Sequence, residues 1–263
     1  NIFLVPAAGG PARQLAPNMR DVEGGAAWAA DGRAIYFVAN FGVHSQLMEI
    51  DVATKGARQL TNGQHSIQGW DFVPSGKRHV FQIDEPTRYG EVWTLAEAAG
   101  NPGSDGGAAN AAARQVTHVY DDVATRFALP KQERIEWKGA DGVRVEGLLY
   151  YPTDYKAGTR YPLVVQTHGG PAASDKFGFG SWNSYVQVLT GRGYAVLKPN
   201  YRGSTGYGNA FLRDMVGHYF NQAHLDVMAG VDQVIRMCVA DPDRLAKMGW
   251  CAGGHMTNPI ITF

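Results

Sequence analysis

The five residues 249–253 read Gly-Trp-Cys-Ala-Gly and follow a short apolar run, a pattern typical of a sharp turn between a strand and a helix. A side chain at the apex of such a turn stands clear of the backbone. The residues two positions to either side must lack a Cβ, because the strand and the helix approach closely there. Gly249 and Gly253 meet this requirement. The stretch therefore predicts that Cys251 is a nucleophile on a nucleophile elbow.

Two backbone amides are candidates to stabilise negative charge beside Cys251. The helix that begins after the elbow has unpaired N–H groups at its start, so the Ala252 N–H is one candidate donor of an oxyanion hole. The second follows the apolar run at 161–166, which ends in His-Gly-Gly-Pro at 168–171. Paired glycines after a buried strand can leave an N–H free, so Gly170 is the other candidate donor. A plain strand-ending turn is the alternative interpretation of that motif.

Residues 131 to 263 alternate between strand and helix patterns. Two apolar runs, at 161–166 and 194–199, suit central strands that are buried on both faces. Apolar residues recur at helical spacing over 223–239, which predicts an amphipathic helix packed on the sheet with Cys238 on its buried face. We expect Arg202, in the loop after the second run, to brace that loop by hydrogen bonds. This half is predicted to be an α/β domain.

Residues 1 to 130 repeat a strand-rich unit. The unit closes with Arg-Gln-Leu at 13–15, with Arg-Gln-Leu-Thr at 58–61 and with Arg-Gln-Val-Thr at 114–117. The spacing of about 45 to 55 residues is the length of a four-stranded propeller blade. Two and a half units are too few for a closed propeller, so a propeller fragment is expected here. The segment 100–113, rich in Gly, Ala and Asn, is predicted to be a loop.

Charge and composition exclude several other classes of function. Lys and Arg number 24, as do Asp and Glu, and the pI is about 7.3, so no basic surface for nucleic acid is indicated. No apolar run approaches the ~20 residues of a membrane span. The two cysteines have no metal-ligand spacing, and the glycines of 200–208 lack dinucleotide-binding spacing. We expect no metal or other cofactor, no nucleic acid and no membrane partner. Compartment and self-association are left open.

Four motifs of this chain, taken in order, resemble the prolyl oligopeptidase family of serine peptidases, most closely its acylaminoacyl-peptidase and dipeptidyl-peptidase-like branch. They are His-Gly-Gly-Pro (168–171), Asn-Tyr-Arg-Gly-Ser-Thr-Gly-Tyr-Gly (200–208), Ala-Asp-Pro-Asp-Arg (240–244) and Gly-Trp-Cys-Ala-Gly-Gly-His (249–255). The resemblance runs from about residue 132 to the end. It implies that 1–130 holds the last blades of a β-propeller and 131–263 the N-terminal part of an α/β-hydrolase domain.

The same resemblance implies an activity and a set of site residues. The activity is cleavage of short peptides by acyl transfer, with a peptide as the partner. Cys251 stands at the nucleophile position, and Ala252 and Gly170 stand at the oxyanion-hole positions. Trp250 and His255 are expected to flank the elbow as packing residues.

The chain departs from the family pattern in two ways. Cys251 occupies the place of the family's serine. In α/β-hydrolases the acid and the base histidine follow the nucleophile, yet only 12 residues lie beyond Cys251, from 252 to 263. The sequence therefore predicts a piece of a longer peptidase, truncated after the elbow and inactive by itself, whose acid and base lie beyond Phe263.

Two other functions remain open on the sequence alone. One is a cysteine-nucleophile hydrolase of esters or lactones, resembling dienelactone hydrolases, which also carry Gly-x-Cys-x-Gly; those small enzymes lack a blade-like first half. The other is a peptide-binding propeller attached to an inactive hydrolase domain.

Overall fold

The computed structural model describes residues 2–15, 21–97, 113–179, 184–218 and 221–262, and most of the predicted loop at 100–113 lies outside these ranges. The first half consists almost entirely of strands. In chain order they are β1 (Phe3–Leu4), β2 (Arg13–Gln14), β3 (Asp21–Trp28), β4 (Ala34–Phe41), β5 (His44–Asp51), β6 (Ala57–Gln59), β7 (Ser66–Val73), β8 (Arg78–Glu85), β9 (Arg88–Ala96) and β10 (Arg114–Gln115), followed by the short helix α1 (Val123–Arg126).

The two full units of the first half each form a four-stranded antiparallel sheet, whereas the half unit before them forms the two-stranded sheet β1-β2. The strand orders are β3-β4-β5-β6 and β7-β8-β9-β10. The repeated Arg-Gln sequences lie in the outermost strands, β6 and β10, where each closes its sheet. The two sheets share one apolar core, in which the rings of Tyr36 and Phe72 lie 4.9 Å apart. The repeat seen in the sequence is therefore a repeat of sheets.

The second half is a mixed five-stranded sheet with helices on both faces. Its strands lie in the order β11-β12-β14-β13-β15, and β13 runs parallel to both of its neighbours. The elements are β11 (Gln132–Lys138), β12 (Arg144–Tyr150), β13 (Tyr161–Thr167), α2 (Ser184–Thr190), β14 (Ala195–Asn200), α3 (Asn209–Arg213), α4 (Ala223–Arg236), β15 (Ala240–Gly249) and α5 (Ala252–Thr262).

The apolar runs in β13 and β14 are continuous because both faces of these strands are covered. Val164 and Val196 pack in the cluster that contains α2, whereas Val165 and Leu197 pack in the cluster that contains α4 and α5. A strand with one wet face would alternate between apolar and polar residues instead. The prediction of two central buried strands is confirmed.

The connections of β13 create a crevice at its carboxyl end. From β13 the chain crosses through α2 to β14 on one side, and then through α4 to β15 on the other side. The ends of β13 and β15 therefore lie side by side where the chain direction diverges, and such switch points are where ligands bind in open α/β sheets. The two motifs at 168–171 and 249–253 lie at this crevice.

Helix α4 packs on the sheet as predicted, but its buried face also includes positions that the apolar spacing did not mark. Its buried residues include Val227 and Gly230, whereas Met228 is exposed. Gly230 allows the ring of Trp137 to approach, since a Cβ there would lie 2.7 Å from that ring. The helix ends at Arg236. Cys238 follows it with a φ of 59° and an exposed side chain, so the prediction that this cysteine is buried is wrong.

Candidate active site

The elbow is a tight turn between β15 and α5 with Cys251 at its apex. Cys251 is exposed and has a φ of 52°, a left-handed conformation that non-glycine residues adopt rarely and mostly at special sites. A Cβ on Gly249 would lie 2.2 Å from the Gly253 carbonyl oxygen, and one on Gly253 would lie 2.1 Å from the Thr167 carbonyl oxygen. Both positions therefore require glycine, for the steric reason that the sequence suggested.

The turn of residues 168–171, called the second turn below, lies directly against the elbow. A Cβ on Gly169 would lie 2.9 Å from the Cys251 Cβ and 3.0 Å from the Trp250 carbonyl oxygen. Gly170 follows with a φ of 120°, and the Trp250 N–H donates to the Thr167 carbonyl at 3.4 Å. Cys251 and the paired glycines are thus neighbours across two parallel strands, although more than 80 residues separate them in the chain.

The Ala252 residue lies at the start of α5, next to the exposed cysteine. Its side chain is buried, whereas its backbone N–H is one of the first of the helix. The N–H groups of the first turn have no partner within a helix. In this helix the Gly253 N–H donates to Trp250 at 2.8 Å and the His255 N–H donates to Cys251 at 3.0 Å.

His168 is fixed as a structural residue of the second turn. Its ring stacks on Tyr201 with centroids 4.6 Å apart, Nδ1 lies 2.8 Å from the Gly169 carbonyl oxygen, and Nε2 lies 2.9 Å from Ser204 Oγ. The Tyr201 hydroxyl donates to the His168 carbonyl at 2.7 Å. Burial lowers the pKa of His168. Because both ring nitrogens are engaged, the side chain orients the turn and is not placed to accept a proton from Cys251.

A polar chain that sequence reasoning missed attaches α5 to β13. Thr167 Oγ1 donates to the Gly253 carbonyl at 2.9 Å, and Lys247 Nζ donates to Thr167 Oγ1 at 2.7 Å and to Thr257 Oγ1 at 3.1 Å. Burial lowers the pKa of Lys247 to about 8. The only sequence signal was the position of Thr167 directly before His-Gly-Gly. These hydrogen bonds keep the start of α5 at a fixed distance from the second turn.

The packing role expected for Trp250 and His255 is wrong. Trp250 is 65% exposed, and His255 is exposed as well. Both residues lie beside β15, which is the outermost strand of the described sheet.

Arg202 braces the end of β14, as predicted. Its side chain is almost fully buried and donates to the carboxylates of Asp226 and Asp141, each contact being 2.8 Å long. These hydrogen bonds raise the pKa of Arg202 and hold the pKa of Asp141 below its usual range. The bracing fixes the residue next to Tyr201, which in turn supports the ring of His168.

Within the described residues, no three His, Cys, Asp or Glu side chains are grouped so that they could hold a metal ion. None of the described helices has the length and apolar character needed to cross a membrane.

Comparison with known proteins gives consistent relatives. The chain is 31% identical over 196 residues to an uncharacterized peptidase, YuxL, of Bacillus subtilis, covering 74% of this chain and 28% of that protein. It is 27% identical over 241 residues to dipeptidyl-peptidase 5 of Porphyromonas gingivalis, covering 87% of this chain and 33% of that protein. The chain thus spans about a third or less of the length of these relatives.

Solved structures share the fold over nearly the whole chain. An acylaminoacyl peptidase of Pyrococcus horikoshii superposes with a TM-score of 0.77 at 22% identity, over 94% of this chain and 36% of that one. A puromycin-hydrolyzing peptidase of Mycobacterium tuberculosis superposes with a TM-score of 0.78 at 22% identity, over all of this chain and 40% of that one. At these identities the likeness shows a common fold.

The relatives and the family model point to one class: the chain resembles the serine-type peptidases, which are hydrolases. The family is the prolyl oligopeptidase family, whose model matches residues 180–263. The resemblance inferred from the four motifs is therefore confirmed.

Proposed function

We propose that the chain is part of a peptidase that cleaves short peptides by acyl transfer through the residue at the elbow. In this proposal, residues 1–130 are the last blades of a β-propeller, and residues 131–263 are an α/β-hydrolase domain up to and including the nucleophile elbow. One observation carries the proposal: Cys251 stands exposed in a left-handed turn, and Gly169 at the end of the neighbouring strand lies directly against it.

The proposed chemistry uses the groups at the two turns. Cys251 Sγ attacks the carbonyl carbon of the peptide bond, and the carbonyl oxygen takes up the negative charge. The Ala252 and Gly170 amides are proposed to donate to that oxygen, a role that requires donors about 2.7–3.1 Å from it. The C–N bond then breaks, the amine leaves with a proton, and the thioester is hydrolysed by water. With serine at position 251 the intermediate would be an ester.

The base and the acid are proposed to come from residues outside the described ranges. His168 is engaged at both ring nitrogens and is not a candidate. A thiol needs a suitably placed base to be a competent catalyst of peptide hydrolysis. We therefore propose that the described stretch supplies the nucleophile and the oxyanion donors only, and is inactive by itself.

Short peptides are the proposed substrate class. The matched relatives are named as an acylamino-acid-releasing enzyme and as a dipeptidyl-peptidase, and one solved neighbour is an acylaminoacyl peptidase in complex with a peptidyl chloromethyl ketone. These names describe those proteins. For this chain they make N-acylated di- and tripeptide anilides the first compounds to assay.

The test is to restore serine in the protein as its source produces it. Cys251→Ser should raise the turnover of an N-acyl dipeptide anilide by at least about tenfold, whereas Cys251→Ala should abolish it. Cys238→Ser is the matched control, because Cys238 is also an exposed cysteine with a positive φ, and it should leave turnover unchanged. If Cys251→Ser is as inactive as Cys251→Ala, the peptidase proposal fails. Peptide binding without turnover in that variant would support a binding protein.

The exposed thiol also favours a second candidate, a cysteine hydrolase of esters or lactones. Iodoacetamide would then abolish ester cleavage in the unmodified protein, and mass spectrometry would show alkylation of Cys251. Cleavage of esters without any cleavage of peptides, before or after Cys251→Ser, would favour this candidate over the peptidase.

A further inference from the structure

The loop of residues 171–179 begins immediately after Gly170 and ends on the first half of the chain. Its last three residues bond through their backbone groups to distant residues. The Phe177 N–H donates to the Val43 carbonyl at 2.8 Å, and the Phe179 N–H donates to Asp84 Oδ2 at 2.9 Å. Phe177 and Phe179 are each 3% exposed. This end of the loop is therefore a buried part of the contact between the two halves.

A cross-strand pair of the β7-β8-β9-β10 sheet forms hydrogen bonds with that end of the loop. Ser66 on β7 and Asp84 on β8 are directly opposite each other. Ser66 Oγ donates to the Phe177 carbonyl at 2.8 Å, so that the pair holds one acceptor and one donor of the loop, two residues apart. Gly178 lies between them, and a Cβ on it would be 2.4 Å from Asp84 Cγ. The close approach of this backbone to Asp84 requires the glycine.

Gln132, at the start of the mixed sheet, completes the attachment. Its side-chain amide bonds to both backbone groups of Gly178, accepting at 3.0 Å and donating at 3.2 Å. The ring of Phe179 stacks on Tyr89 of β9 with centroids 4.8 Å apart. Buried backbone groups that lose such partners are costly, because they cannot return to water. The position of residues 177–179 is thus determined by side chains of β7, β8 and β11.

The beginning of the loop is coupled to Gly170. A Cβ on Gly170 would lie 2.7 Å from the Ala172 nitrogen and 3.1 Å from the Ala173 nitrogen, so the chain folds back on itself at this point. The middle of the loop is held by Asn200, which bonds to both backbone groups of Asp175 at 2.8 and 2.9 Å. Phe177 lies only seven residues after Gly170 in the chain, so a displacement of residues 177–179 can reach the Gly170 amide through the loop.

We propose that Ser66 and Asp84 are positioning residues for the reaction at Cys251: through the loop 171–179 they set the orientation of the Gly170 N–H. The inference rests on the proposed function, because it assigns to the first half of the chain a part in building the oxyanion hole. The first half of the chain then acts on turnover itself.

The first measurement is hydrogen exchange in the protein as its source produces it. Ser66→Ala removes the donor to Phe177 and should accelerate exchange of the amides in 168–179 by at least about tenfold. Thr94→Val is the matched control, since Thr94 Oγ1 also donates to a backbone carbonyl, that of His79 at 3.0 Å, toward the other end of the same sheet. It should leave exchange in 168–179 unchanged. Asp84→Ala, which removes the acceptor of the Phe179 N–H, is a second variant with the same expected result.

The second measurement separates catalysis from structure. In the Cys251→Ser background, Ser66→Ala should lower kcat about tenfold to a hundredfold while KM changes less than about threefold. The reason is that a misplaced oxyanion donor weakens stabilisation of the transition state and leaves ground-state binding of the substrate unchanged. Unchanged exchange in 168–179, or faster exchange with an unchanged kcat, would overturn the inference. If Cys251→Ser shows no turnover at all, the proposed function is refuted, and the exchange comparison alone decides whether Ser66 positions Gly170.

Discussion

Replacing Arg202 by methionine tests how the end of β14 is held beside the second turn. The Arg202 side chain donates two hydrogen bonds to Asp226, which is completely buried, and two to Asp141, whose side chain is 49% exposed. The two carboxylates thus sit in very different environments. Loss of the arginine leaves the charge of Asp226 buried without its partner.

The magnitude follows from that difference. Breaking a buried ion pair by removing one partner destabilises a protein by about 3–5 kcal/mol, whereas an exposed pair contributes less than about 1 kcal/mol. We expect Arg202→Met to lower the free energy of unfolding by about 3–5 kcal/mol through Asp226. The Asp141→Ala variant should lower it by about 1 kcal/mol, since half of that side chain is already in water.

The assay is urea unfolding followed by tryptophan fluorescence and far-UV circular dichroism. The matched control is Arg144→Met, because Arg144 also holds a carboxylate through two of its nitrogens, that of Glu136, but with 68% of its own side chain exposed. The control should lose less than about 1 kcal/mol. The double variant Arg202→Met with Asp226→Leu should recover at least about 2 kcal/mol, because it removes the buried charge as well.

The pH dependence of the Arg202→Met variant gives a second check. Burial raises the pKa of Asp226, and Arg202 opposes that rise. Without the arginine, the folded-state pKa of Asp226 rises further above its unfolded value, so the stability deficit of the variant is largest at neutral pH and shrinks as the pH falls through the folded-state pKa. A deficit of only about 1 kcal/mol at neutral pH, or no recovery in the double variant, would refute the reasoning.

Two further predictions concern the elbow and the first half. Gly253→Ala should prevent folding or destabilise the chain strongly, because its Cβ would lie 2.1 Å from the Thr167 carbonyl oxygen. Gly254→Ala is the control: its nearest contact would be 3.4 Å away, so it should be tolerated or stabilise α5 by about 0.5–1 kcal/mol. Equal thermal midpoints for the two variants would contradict the steric argument. Burial lowers the pKa of His79 and of His65 to about 4, so stability should fall as the pH drops from about 6.5 toward 4. The stability of the parent relative to His79→Phe should fall by about 2 kcal/mol between about pH 7 and pH 5, and a constant difference would show that His79 is not buried in its neutral form.

Much of the candidate site could be predicted from local sequence. The requirement for glycine at 249 and 253 comes from the crowding of a strand and a helix at one turn, and the structure shows those carbonyl contacts. The assignment of 161–166 to a buried strand likewise rests on a short apolar run, which needs no knowledge of the neighbours. The Arg-Gln repeats predicted a repeated strand-rich unit, and the two four-stranded sheets each end on such a strand.

The predictions that failed depended on what covers a residue. Cys238 fits the apolar stripe of α4 by spacing, but the helix ends at Arg236 and the cysteine lies in an exposed turn. In α4, Val227 and Gly230 face the core, whereas Met228 is exposed. The same helix places the buried carboxylate of Asp226 against Arg202. Trp250 and His255 are exposed beside the edge strand β15, and no local pattern reveals that exposure.

The sequence by itself indicated which residues we propose for the chemistry, and it determined how each turn is shaped, since a turn depends on neighbours within a few positions. Only the tertiary structure decided which turns meet. Pairing of β13 with β15 brings Gly169 against Cys251, and the loop from Gly170 reaches Ser66 and Asp84 across the contact between the two halves. Such contacts arise from strand order and from the burial of backbone groups that need distant partners, and neither leaves a periodic trace in the chain.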